Sequence, residues 1–410
     1  MNLPTARESF PGMKDKVFLD AACVSLAPRQ ATRAIEEFLQ MALLCRERSS
    51  TLHHIAMDDM RGVARAQAAQ LIGAHTDEIA LVESTSHALS IAAGSIPLQR
   101  GDRVLLCDLE FLEVAVPWMQ MHERAGIEID VVANRNGMIL PEDVADAIRP
   151  ATRVVAISSV QWSNGFRCDL EALGRICRER NLWFVVDVIQ QLGAIPVDVE
   201  KTPVDILACG GHKWLNAPFG TGLLYISRAA MPRLQAPLAG YLSVEPPDGG
   251  WGSYFQTPSI TPVRAYKFVN EARRFEVGGT SNYPGAAGLA ASLQLIQELG
   301  PDLIAQHVYE LTDHLIDGLK TLGVNVITPT ERKYRSGIVT FSVGGSADNV
   351  AMMEYLLDRK ILVSVRYTSH VGGVRVSCHF YNSKGDLDDL LNAVEQFQRS
   401  LTTHSGRTGV

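Results

Sequence analysis

Several things are scarce in this chain, and each scarcity closes a route. Its seven cysteines are an odd number with no Cys-x-x-Cys pair, which argues against a disulfide framework and fits reduced thiols in a cytoplasm. Positive charge is in deficit, with 38 Lys and Arg against 45 Asp and Glu and a net charge of −7; nucleic acid would need a basic surface. No apolar run reaches the roughly 20 residues of a membrane span. The opening "MNLPTARESFPGMKDK" has no apolar signal core, so export is not expected. No GxGxxG follows a strand and no GxxxxGK[ST] occurs, which disfavours a dinucleotide fold or a P-loop. There is no internal repeat and no low-complexity block. What remains is 46% hydrophobic and 20% charged, the balance of a soluble globular protein. Its 410 residues suggest two or three lobes.

Between about residues 75 and 226, "EIALV", "RVLLCD", "IEIDVV", "RVVAISS", "LWFVVD", "DILACGG" and "GLLYI" read as seven strands. They are continuous apolar runs, as strands buried on both faces are. Helical stretches such as "ALSIAAGSI", "PEDVADAI" and "LEALGRICRER" lie between them. The alternation predicts an α/β layer with a mostly parallel sheet. Residues 235–270, rich in Gly, Pro and aromatics, read as a long irregular excursion. Beyond them "GIVTFSV", "ILVSVR" and "GVRVSCHF" alternate with helices in a smaller α+β lobe. The expected division is an N-terminal arm (1–25) on the small lobe and site mouth, a large lobe (26–285), a small lobe (286–403) and a tail (404–410).

Lys213 stands between two of the apolar runs, in "CGGHKWLNAPFGTGLLYI". A lysine is among the residues least often buried without a partner, and burying its charge is costly. Asp187 ends the strand "LWFVVD", Gln190 follows it, and Gly210, Gly211 and His212 precede the lysine. Ligands of open α/β sheets gather at such strand ends. An Asp–Lys ion pair would explain two of these residues but not the paired glycines. Nor would it explain Ser84, Thr85 and Ser86 at a strand-to-helix junction. Hydroxyls and free N–H groups at a helix start make a phosphate cradle, although Ser and Thr are also ordinary N-caps. A cradle, a strand-end Asp and a lysine able to form an imine together describe a pyridoxal phosphate site. The paired glycines would let the backbone come close to the cofactor.

With "FVVDVIQ", "GGHKWLNAPFGTGLLYI", "RFEVGGTSNYPGAAGL" and "VRVSCHFYN" on the page, the chain resembles the fold-type I pyridoxal phosphate enzymes of the class V aminotransferase family. The branch of isopenicillin N epimerase-like proteins, cysteine desulfurases and C–S lyases fits best. The likeness covers about residues 18–400. It implies that Lys213 is the Schiff-base lysine, that Asp187 faces the pyridine nitrogen and that Gln190 touches the phenolic oxygen. By the same likeness Thr85, Ser86, His87 and His212 would hold the phosphate, and Phe111 would stack on the ring. Thr280 would reach the phosphate of a neighbouring subunit, so a homodimer is implied, although "VGGT" carries one glycine more than the common pattern. Arg375 would grip the substrate α-carboxylate, a task that suits a guanidinium fork.

The desulfurase branch carries a nucleophilic cysteine on a loop shortly before that arginine. Here "VSVRYTSHVGGVRVSC" has none between Arg366 and Arg375, and Cys378 follows within an apolar run where a buried thiol is expected. Persulfide-forming desulfuration is therefore disfavoured. The expected reaction is β-elimination from an S-substituted cysteine by a C–S lyase. The alternatives are epimerisation, transamination or decarboxylating deamination of a specialised amino-acid metabolite. Epimerisation needs a second acid, for which Tyr367, His370 and Tyr381 are candidates. The stretch Trp251–Phe255 and "DAACVSLAP" are expected to line the substrate mouth.

Overall fold

The computed structural model describes residues 2–405. The seven apolar runs form one sheet of β1 (Ile79–Val82), β2 (Arg103–Cys107), β3 (Glu128–Val132), β4 (Thr152–Ser158), β5 (Trp183–Asp187), β6 (Ile206–Gly210) and β7 (Gly222–Ile226). The order across it is β1-β7-β6-β5-β4-β2-β3. Only β7 runs against its neighbours. Alternate residues of these strands feed two apolar layers. One packs on the helices Ser50–Ile72, Leu170–Glu179 and Tyr283–Leu299, the other on Thr85–Ser95 and Leu112–Ala125. With both faces covered, every residue of β5, β6 and β7 is buried. Each Leu, Ile or Phe so buried contributes about 1.5–3 kcal/mol.

One strand departs from the sequence reading. The run "IEIDVV" becomes the edge strand β3, in which Glu128 and Val131 are exposed. Its Asp130 is buried against Arg103 through bonds of 2.6 and 2.7 Å. An edge strand carrying paired charge is a poor template for further strand addition. The helix Leu112–Ala125 forms despite Pro117 in its interior. A proline there removes one backbone bond, and the burial of Val114, Pro117 and Trp118 offsets the loss.

The smaller sheet contains β8 (Asn325–Val326), β9 (Ile338–Ser342), β10 (Ser364–Thr368) and β11 (Val371–Ser377), in the order β10-β11-β9-β8. All its pairs are antiparallel. The helices Pro301–Thr321, Ser346–Asp358 and Lys384–Ser405 flank it. Of the tail expected over 404–410, positions 406–410 lie outside the described residues. The first residues of the chain fasten to this sheet's side of the molecule. Val17–Phe18 pairs in parallel with Ile361–Leu362, Arg7 forks onto Asp386 at 2.6 and 2.9 Å, and Asp20 bridges Ser377. Among the described residues no helix is long and apolar enough to cross a membrane.

Candidate active site

β5 and β6 are parallel neighbours, so Asp187 at the end of one and Lys213 just past the end of the other face the same opening. Asp187 is 4% exposed. Its Oδ1 accepts from Ile189 N at 2.8 Å, and its other oxygen accepts nothing among the described residues. Burial pushes this acid up to about 7, against the pull of the Ile189 bond and of Lys213. Lys213 is half-buried. Desolvation lowers its amine to about 8, with Asp187 opposing the shift and Arg375 adding to it. The Nζ atom stands 5.7 Å from the centre of the Phe111 ring. Burial thus draws both the acid and the amine towards their neutral forms.

The helix Thr85–Ser95 starts beside them. Ser84 is its N-cap and accepts from His87 N at 3.1 Å. Thr85 Oγ1 accepts from Gly210 N at 2.8 Å, and Ser86 Oγ donates to Glu113 at 2.6 Å. All three hydroxyls therefore have protein partners. The cradle's remaining donors are the hydroxyl protons of Ser84 and Thr85 and the N–H groups of Thr85 and Ser86, which no preceding turn can satisfy. His87 and His212 both fall below the usual histidine range, chiefly through desolvation, His212 to about 4. His87 Nδ1 accepts from Glu83 N at 3.4 Å, and His212 stacks on Phe219.

The paired glycines serve the protein itself. A Cβ on Gly210 would meet Thr85 Oγ1 at 2.9 Å, and one on Gly211 would meet Ala217 Cβ at 2.8 Å. The structure thus supplies a packing reason for both glycines. Gln190 is likewise engaged. Its Nε2 donates to Ala22 O at 3.0 Å, and its Oε1 accepts from Trp214 Nε1 at 2.9 Å. One amide proton is left for a further acceptor.

Phe111 caps the helix Leu112–Ala125 and packs edge-on against Trp162, with ring centres 5.0 Å apart. The residue before it, Glu110, was not picked out from sequence. Glu110 accepts from Ser158 N at 2.9 Å and from the Ser158 hydroxyl, and Ser158 is the register partner of Asp187. Glu110 therefore ties the Phe111 loop to the strand beside the acid. Desolvation raises its own pKa. Nothing in composition or spacing marks this contact between positions 48 residues apart.

Arg375 lies on β11, 1% exposed. It donates to Trp162 O at 3.0 Å and to Asp20 Oδ1 at 3.1 Å, while its buried Nε has no partner. In the segment "DAACVSLAP", Asp20 holds Arg375 and Ser25 N donates to His212 O at 2.9 Å. β10 and β11 are joined by a two-residue turn, Ser369–His370, both with positive φ (45° and 65°). This is the geometry of a tight type I′ hairpin. Ser369 Oγ fastens it to Asp108 O at 2.7 Å.

The other residues singled out from sequence sit apart. Tyr367 accepts from Asn349 Nδ2 at 2.7 Å, on the opposite sheet face from Arg366. His370 is exposed at the hairpin tip. Tyr381 is buried against Ser25, with its hydroxyl 2.9 Å from Ser25 Oγ, and Cys378 is a fully buried thiol. Thr280 is exposed, with no tie to Lys213 of its own chain. The aromatics of Gly250–Phe255 stack on one another, Trp251 on Phe255 at 5.7 Å.

The unspent donors and acceptors suit pyridoxal phosphate. They comprise a free oxygen on a buried acid, an amine of lowered pKa under an aromatic ring, unsatisfied N–H groups at a helix start and an orphaned guanidinium Nε. A mostly parallel α/β sheet with these groups at its strand ends defines a fold-type I pyridoxal phosphate enzyme. The chain belongs to the class V aminotransferase family, whose model matches residues 17–390. Among its relatives is a probable cysteine desulfurase of Pyrococcus abyssi, 28% identical, with 98% of this chain and 99% of that protein covered. The isopenicillin N epimerase of Streptomyces clavuligerus is 27% identical, over 81% of this chain and 83% of that one. The apo structure of a cysteine desulfurase from Thermococcus onnurineus superposes with a TM-score of 0.84 at 27% identity, covering 98% of this chain and 99% of the other.

Proposed function

We propose that this chain is a β-eliminating C–S lyase acting on an S-substituted cysteine, with pyridoxal phosphate held by Lys213, Asp187, Gln190, Phe111, Thr85, Ser86, His87 and His212. The observation that carries the elimination reading is the closed hairpin Ser369–His370, which offers no thiol to take the substrate's sulfur. When bound, the cofactor supplies an electron sink for the pair left at Cα. Arg375 would hold the α-carboxylate, exchanging Asp20 for it, and the amine of Lys213 would take the Cα proton. The pair from Cα then expels the sulfur on Cβ as thiol. With one water consumed, the products are thiol, pyruvate and ammonia. The test is incubation with S-methyl-L-cysteine, in which pyruvate and methanethiol should appear in equal amounts. Racemised substrate without pyruvate would sink the reading in favour of epimerisation, and a keto acid that requires an added amino acceptor would favour transamination.

One observation favours a second reading, sulfur transfer to an enzyme thiol. Cys23 is exposed, with Sγ 3.7 Å from Arg366 Nη2, on the segment whose Asp20 holds Arg375. Cysteine plus this thiol would give alanine plus a persulfide, which mass spectrometry of Cys23 would detect.

Thr280, exposed on its loop, is proposed to reach the phosphate of a second subunit in a homodimer. The lobe boundaries 26–285 and 286–403 are proposed with it. All seven cysteines are free, which supports a cytoplasmic setting.

Two outcomes follow from the site's charges. The amine of Lys213 reacts only when neutral, so the rate at which apo-protein captures pyridoxal phosphate should rise about tenfold per pH unit and level off near the lowered value of about 8. An undisturbed lysine would keep rising to about 10.4. Stopped-flow absorbance between pH 6 and 10 distinguishes them. Arg375→Ala should lower kcat/KM about a hundredfold, mostly through KM, because it removes a buried charged donor. Steady-state kinetics measure the split.

A further inference from the structure

We propose that Trp214 is a positioning residue that sets the orientation of the Gln190 amide, and that His379 braces Trp214 in turn. The smaller sheet would thereby tune the cofactor's phenolic oxygen from behind the site. The inference rests on the preceding reading that Gln190 helps to hold pyridoxal phosphate.

Two neighbours grip the amide, and each can bond in one sense only. An indole N–H is a donor alone, so the Gln190 atom 2.9 Å from Trp214 Nε1 is the oxygen. The Ala22 carbonyl only accepts, so the Gln190 atom 3.0 Å from it is the nitrogen. A flipped amide would set donor against donor and acceptor against acceptor. Gln190 is 4% exposed and Trp214 is fully buried, so no water is at hand to rescue either clash. Buried polar atoms stripped of partners are costly, and one orientation survives. In that orientation the amide keeps one unspent proton, three residues past Asp187.

Trp214 is itself wedged against the smaller sheet. It follows Lys213 in the chain, and its ring edge packs on Gly337, where a Cβ would come within 2.6 Å of the indole. Gly337 directly precedes β9, and His379 lies two residues past β11. Phe380 N donates to His379 Nδ1 at 2.7 Å. Burial keeps the imidazole neutral, drawn down to about 3, so its one proton sits on Nε2. That proton faces Trp214 O at 3.1 Å. Bonds therefore run from His379 through Trp214 to Gln190. A donor on a phenolate favours its charge most once the adjoining imine nitrogen has lost its proton, which lowers the pH at which that proton leaves. Gln190 freed from Trp214 donates less well, and the titration should move up.

Trp214→Phe keeps an aromatic ring and removes the N–H. Absorbance of the holoenzyme from about pH 5 to 10 should show the bound cofactor titrating at least about 0.5 unit higher than in wild type, about threefold in proton affinity. The same substitution in a Gln190→Ala background should add no further shift, because the group through which Trp214 acts is gone. A role in packing alone would move both backgrounds alike. His379→Phe should shift the titration in the same direction, and His379→Gln, whose amide can still donate to Trp214 O, should shift it less. No shift in W214F, or one undiminished in Q190A, would overturn the proposal; an unshifted H379F would overturn the brace. A second readout needs no cofactor. In apo-protein, W214F leaves Gln190 Oε1 buried without its donor, so it should lower the melting temperature more in wild type than in Q190A. Equal losses would overturn the bond as a determinant of the amide. If the chain takes up no pyridoxal phosphate, the lyase reading fails, and unequal losses would still establish that Trp214 orients Gln190.

Discussion

Lys213→Ala should leave a folded protein that turns over substrate at least about a thousandfold more slowly and releases its cofactor on dialysis. Two functions are lost together, a covalent anchor and the base at Cα, and a positioned base alone is worth about 10²–10⁴ in rate. Folding should survive, because the structure gives the ammonium of Lys213 no hydrogen bond to break and leaves the residue half-buried. The neighbours that would miss it are Asp187 and the Phe111 ring, 5.7 Å from Nζ. Removing a desolvated cation beside an acid that burial has already raised to about 7 lets that acid take up a proton instead. Borohydride reduction followed by peptide mapping checks the anchor. Wild type should carry the reduced cofactor on the peptide containing Lys213, and the alanine variant should carry none. A Lys213→Arg variant keeps the positive charge without a nucleophilic amine, so it should be as inactive as alanine. Activity retained in either variant would remove the mechanism.

The sheet was legible in the sequence because strands buried on both faces leave unbroken apolar runs, and β5, β6 and β7 are buried at every position. Lys213 and Asp187 were legible for the same reason, as polar residues at the ends of such runs. β3 was misread as a core strand because an edge and a core strand of five residues differ by only two exposed side chains, Glu128 and Val131. What stayed hidden depends on contacts between distant positions. Asp20 and Arg375 are 355 residues apart in the chain, and their pairing follows from how the N-terminal segment docks on β11. Glu110 is visible as a carboxylate beside Phe111, but its hold on Ser158 exists only once β4 lies next to that loop. The hydroxyls of Ser84, Thr85 and Ser86 illustrate a different ambiguity, since capping a helix and cradling an anion draw on the same residue types at the same place. In the structure each of these hydroxyls has a protein partner, while the hydroxyl protons of Ser84 and Thr85 and the first N–H groups of the helix have none among the described residues.

Asp187→Asn should divide stability from function. In the apo-protein the acid is buried with one hydrogen bond, from Ile189, and its pKa in the folded chain is about 7 against an ordinary 3.8. The folded state therefore binds a proton more tightly than the unfolded state does. By linkage, this group lowers stability progressively as pH rises from about 4 to about 7, and the full penalty is present above that range. Asparagine has the same shape, can still accept from Ile189 and carries no charge. The apo variant should thus melt higher than apo wild type at pH 8, and the gap should close as pH falls towards 4. Activity should move the other way, by about a hundredfold or more, because a neutral amide cannot hold a proton on the ring nitrogen as an anion can. Bound cofactor should likewise raise the melting temperature of wild type more than that of the variant, since only the carboxylate gains a cationic partner. Scanning calorimetry of both proteins, with and without pyridoxal phosphate, at pH 5 and pH 8, measures all three differences. A variant that is less stable than wild type at pH 8 without cofactor, or fully active with it, would show that Asp187 is an ordinary core residue held for packing.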